Sequence, residues 1–128
     1  MTTAEEIERY LERESSSMSS PSLENLRKAR EAADDNAHVA AFFYYRNAVE
    51  AACDNMARAA LLYSAINHAN NLKKTADRAA VAEWGGSVLQ TIPSTTDLVD
   101  RLFRTQPPTM GIAKRISEDI STLKVARE

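Results

Sequence analysis

Arg46, Glu50, Asp54 and Arg58 recur at every fourth position through the middle of the chain. On a helix that spacing lays them in one stripe, and two carboxylates between two guanidiniums make the closest approach to a catalytic face in the sequence. Proton-transfer or glycosidase-like chemistry needs one carboxyl held protonated in an apolar pocket, whereas flanking guanidiniums favour the ionised form. The stripe therefore reads as a solvated face, with Arg46 paired to Glu50 and Asp54 to Arg58 at about 0.2–0.5 kcal/mol each. An enzyme built on it is the third functional reading in rank.

Metal and thiol chemistry have three donors to draw on: His38, Cys53 and His68. Consecutive members lie fifteen residues apart on what reads as one helix, hence roughly 22 Å apart, too far to share an ion. No metal site and no cofactor is expected. Cys53 is the only cysteine, so no intramolecular disulfide forms. Its neighbours are alanine and methionine, which predicts a buried, inert thiol. Gly85, Gly86 and Gly111 fit neither a P-loop nor a dinucleotide fingerprint.

Phosphate contacts would come from Lys73, Lys74 and Arg78, with Arg101, Arg104, Lys114 and Arg115 further on. Acids are interleaved with them, and the net charge of -2 gives no basic field. Nucleic-acid binding through these residues is the second reading, and it is disfavoured. Charge is uneven: -4 over residues 1–35, balanced over 36–72, and +2 over 73–128. The two ends can attract each other within a chain or between copies.

The elements that must position these residues are helical. Of 128 residues 44% are apolar, many of them alanine, and three glycines and four prolines leave little to interrupt helices. Residues 3–14 predict a short helix with a Thr3/Glu6 capping box and Ile7, Tyr10 and Leu11 on one face. SSSMSSP then reads as a flexible connector, with Ser20 as N-cap and Pro21 opening a helix to about Ala33 that turns Leu23, Leu26, Ala29 and Ala33 inward.

Residues 37–73 read as one helix of about 35 residues, roughly 50 Å long. Phe42, Tyr45, Ala48, Val49, Ala52, Cys53, Met56, Ala60 and Tyr63 share its core arc, and Phe43 and Leu61 fall in the polar arc. Its small residues Ala48, Ala52, Ala59 and Ala60 would let a second helix approach closely, with Tyr45, Met56 and Tyr63 as the larger knobs. Such a length exceeds what a compact chain of this size needs, so part of it requires a partner; the alternative is a kink near Asn55 that folds the segment back on itself. A further helix spans Thr75 to Trp84 and stops at Gly85-Gly86. Another starts at Ser94/Asp97 and carries Leu98, Leu102 and Phe103. The last, from about Gly111, places Ile112, Ile116, Ile120 and Leu123 on one face.

The sequence thus predicts an all-α protein, a single irregular helical bundle of five or six helices around one long central helix over 37–73. Residues 1–20 form an N-terminal helical arm and Ser-rich linker, and residues 21–128 the α-helical domain. The acidic start lacks a signal peptide and no window suits a membrane span, so a soluble protein in a reducing, cytoplasmic compartment is expected. The leading functional expectation is a non-enzymatic interaction or assembly protein, a small adaptor or regulator. It would self-associate or bind a protein partner through Ile7, Tyr10, Leu11, Phe43, Tyr45, Met56, Leu61 and Tyr63.

Overall fold

A computed structural model describes residues 3–92 and 112–125. It is all helical, as expected, and the helices pack as one bundle: α1 Thr3–Arg13, α2 Ser20–Asp34, α3 His38–Ala51, α4 Asn55–Ala69, α5 Thr75–Leu89 and α6 Ile112–Val125, with a 3-10 turn at Ser15–Ser17. The helix expected from Ser94, with Arg101 and Arg104, lies outside the described residues.

The long central helix is corrected. Residues 52–54 break it, and α3 and α4 fold back on each other as a hairpin. Ala52 takes an extended conformation, and Asp54 caps α4 by accepting the Ala57 amide at 3.0 Å. A side-chain cap of this kind contributes about 1 kcal/mol. The other end of the break is closed by serines. Ser22 Oγ donates to the Ala48 carbonyl at 2.8 Å, and Ser19 Oγ donates to the Ala51 carbonyl at 3.1 Å. These carbonyls belong to the last turn of α3, which has no helical donors left for them. The serine-rich stretch is thus a set of caps rather than a flexible connector. Ser15 and Ser17 likewise donate to the carbonyls of Glu12 and Glu14.

The same caps shift α2 by one residue. Ser19, not Ser20, is the N-cap, and its side chain accepts the Ser22 amide. Ser22, Leu26 and Ala29 then face inward, while Leu23 is left exposed. α2 ends where Asn36 adopts φ 59°. Its amide donates to Ala33 and the Ala37 amide to Ala32, a Schellman closure in which asparagine takes the left-handed position.

α4 occupies the centre and contacts α1, α3, α5 and α6. Its residues from Ala59 to Ile66 are all buried, so it is apolar around its whole circumference, as a helix enclosed on all sides must be. α5 does not stop at the glycines but runs through both to Leu89. Gly85 is buried where α5 crosses α4 and α6: a Cβ there would stand 2.9 Å from Ile66 Cδ1 and 3.2 Å from Ile120 Cδ1. The missing side chain permits the close crossing, and that packing overrides the weak helix propensity of glycine. On α6, Ile116, Ile120 and Leu123 are buried as one stripe. Among the described residues no helix is long and apolar enough to cross a membrane.

Candidate functional site

The break between α3 and α4 regroups the chemistry-bearing side chains. The four-residue ladder does not survive it, and among the described residues neither expected ion pair forms. Asp54 is committed to its cap. Arg46 lies 5.3 Å over the ring of Trp84, and Glu50 Oε1 accepts the Trp84 Nε1 proton at 2.7 Å. Arg58 donates to Asn55 Oδ1 and to Thr91 Oγ1. Arg46 and Glu50 therefore clamp α5 onto α3, and Arg58 ties the end of α5 to the start of α4. The stripe is a set of helix-to-helix fasteners.

His38 and His68 are brought together by the hairpin, their ring centroids 5.9 Å apart, which corrects the expectation that they stand far apart. Tyr45 stacks on His68 at 4.9 Å. Cys53 sits exposed at the turn between α3 and α4, not buried in a core arc. Among the described residues no three His, Cys, Asp or Glu side chains are placed to hold a metal ion.

Beside the histidines, a cleft of about 430 Å³ opens between α1, α2, α3 and α4. Its centre is Glu8, which no spacing in the sequence singled out. Arg30 Nε donates to Glu8 Oε2 at 3.1 Å with Nη2 at 3.0 Å from the same oxygen, and Ser64 Oγ donates to Glu8 Oε1 at 3.2 Å. Burial pushes the Tyr45 phenol well above its ordinary range, and the facing Glu8 carboxylate adds to the shift. Glu12, Asp34, Asn67 and His68 complete the lining. One guanidinium, one serine hydroxyl and one phenol thus converge on a single carboxylate. The arrangement holds α1 against α2 and α4 and commits both Glu8 oxygens to partners within the fold.

Burial depresses the His68 imidazole below its ordinary pKa of 6.5; His38 depresses it further, and Glu8 opposes both. The groups around this pair are Glu8 from α1, Arg30 and Asp34 from α2, and His38 and Tyr45 from α3. The native state thus resists protonating His68 while the unfolded chain accepts a proton near pH 6.5. This group's contribution to stability is full above that pH and is lost as pH falls through 6.5 towards the lower native value. We expect urea midpoints recorded at pH 7.5, 6.5 and 5.5 to fall across the series, and His68→Gln to flatten the fall. An unchanged slope in the variant would remove His68 as its source.

The residues expected at an interface divide sharply. Ile7, Tyr10, Leu11, Tyr45, Leu61 and Tyr63 are buried in this chain's own core, and Met56 is partly buried against it. Ile7, Tyr10 and Leu11 therefore dock within the chain, and Leu61 is not a surface residue. Phe43 alone stands out, 53% exposed, with Val39 equally exposed one turn earlier. They border a second hollow of about 130 Å³, lined also by Phe42, Leu72, Ala80 and Val81, with Arg46 and Asp77 at its rim.

Lys73 and Lys74 are exposed in the turn before α5, Arg78 is half-buried, and Lys114 is exposed on α6. Arg115 is half-buried, faces Tyr63 and Asp119, and pairs with Glu118 at 3.9 Å. Arg101 and Arg104 lie outside the described residues.

The class these observations define is an all-α bundle with a polar internal cleft and an apolar surface hollow. Against protein-family models, curated proteins and solved structures, the chain gives no match.

Proposed function

We propose that this chain is a non-enzymatic helical interaction module that docks a protein through the α3 face bearing Val39 and Phe43. The observation carrying this reading is the pairing of two half-exposed apolar side chains with an apolar hollow beside them. Exposed large apolar groups are ordinary singly; a contiguous set rimmed by charge is the usual mark of a docking surface. The small residues of the hairpin, first read as the association surface, are spent inside the fold: Ala48, Ala59 and Ala60 are buried. Association thus belongs to α3 and α5 rather than to an alanine seam. The polar stripe works as internal fasteners and the acid-base cleft as a clamp, which supports a binding role over a catalytic one.

A photo-crosslinking phenylalanine analogue placed at position 43, with Glu31 on α2 as the control position, tests the reading in cells. We expect protein adducts from position 43 that are absent from position 31 and disappear when Val39→Glu is added. Adducts that ignore Val39→Glu, or no adducts at position 43, would overturn it.

A further inference from the structure

Resting on that reading, we infer that the occupant of the Val39–Phe43 face is a second copy of this chain, docked about a two-fold axis. Each Phe43 enters the hollow of the other subunit, and Arg46 faces Asp77 of the partner subunit.

The argument begins with shape. A two-fold contact uses the same patch twice, so the patch must carry both the projection and the recess that receives it. Phe43 is the projection, 53% exposed on a regular helix. The recess is the neighbouring hollow of about 130 Å³, some four water volumes. That is the room one large apolar side chain takes. Knob and hole therefore lie side by side on one chain.

Charge points the same way. Arg46 rests on Trp84, whereas Asp77 lies seven residues earlier on α5, about 10 Å away along that helix. The two charges thus line one apolar hollow from two different helices, Arg46 on α3 and Asp77 on α5. A two-fold axis that lies in the contact plane and crosses the line between them at right angles exchanges the two positions and sets each cation against an anion. A different protein would have to present the opposite dipole by design, while a second copy supplies it by symmetry.

The face is also rigid before contact. Trp84 packs edge-on against Phe42 at 5.8 Å, holds Arg46 over its ring and donates to Glu50. Arg46 is thereby fixed on the rim, which reduces the ordering cost that association carries. A chain charge of -2 leaves little repulsion between copies.

Sedimentation equilibrium on the full chain from about 1 to 100 µM tests the proposal. We expect a reversible dimer that Phe43→Glu abolishes. Asp77→Arg should weaken it by about tenfold or more, as should Arg46→Asp, and the double exchange should recover most of the loss. Circular dichroism on each variant establishes that the subunit is folded, and Asp77→Arg alters no contact of Trp84. A monomer at every concentration overturns the inference, as does a dimer indifferent to Phe43→Glu. Position-43 adducts with a different protein, found beside a monomer, would leave the docking face standing and remove only the second copy. A dimer that responds to Phe43→Glu but gains nothing from the double exchange would overturn the two-fold arrangement of the charges.

Discussion

Leu61→Ala should lower the stability of the fold by about 2–5 kcal/mol, in the upper half of that range. Leu61 is 0% exposed, although its place among Arg58, Asn47 and Ser64 on a helical wheel assigns it to a polar arc. That assignment assumes one wet side on the helix. α4 has none along this stretch, because neighbouring helices cover it on all sides. The loss comes from removed apolar contact plus the cavity left behind, and a helix held from several directions cannot shift to refill it. Urea unfolding followed by circular dichroism measures the change, with an unaltered slope expected because the folded state keeps its overall burial. A leucine on a wet face would move stability by no more than about 0.5 kcal/mol, so a result that small would place Leu61 in solvent.

The contrast between Leu61 and its sequence-level reading shows where local information ends. The helical character of α1 and α6 is legible, because apolar residues recur there at three-and-four spacing. So is the single face of Ile116, Ile120 and Leu123. The hairpin is legible only as the alternative, a kink near Asn55, since the stretch around Cys53 offers good helix formers on both sides and only Asp54 as a stop signal. A helical run longer than about 25 residues is itself a warning, and an aspartate followed three residues later by an amide it can cap is the specific clue. What decides the break comes from elsewhere: Ser22 and Ser19 reach carbonyls 26 and 32 residues away. Gly85 follows the same logic, reading as a terminator until Ile66 and Ile120 are seen pressing on it. The polar cleft is the least legible feature, because Glu8 meets Arg30 22 residues away and Ser64 56 residues away. No periodicity links such positions. Apolar type alone marks the candidate interface residues, and tertiary burial leaves Phe43 as the exposed one among them.

Removing residues 1–18 is the second change with a large expected effect, and it should unfold the bundle rather than merely weaken its contacts. Ile7 and Leu11 are fully buried and Tyr10 nearly so, all within the common core. Truncating either aliphatic residue to alanine should cost about 2–5 kcal/mol, and a domain of this size has only about 5–15 kcal/mol in total. Deleting the helix also exposes the α4 surface it covers. The expected result is a broad, weakly cooperative transition and binding of a hydrophobic dye; an unchanged midpoint would mean that α1 is a separate arm. Arg30 supplies an independent sign. In the full chain it is bound to Glu8, so Arg30→Leu should destabilise by about 1 kcal/mol as the half-buried carboxylate loses its partner. Glu8→Gln removes the anion and keeps α1, and in that background Arg30→Leu should cost little. A cost that disappears there, read as a double-mutant coupling, would show that α1 is docked through this pair, whereas equal costs in both backgrounds would remove the pair as its anchor.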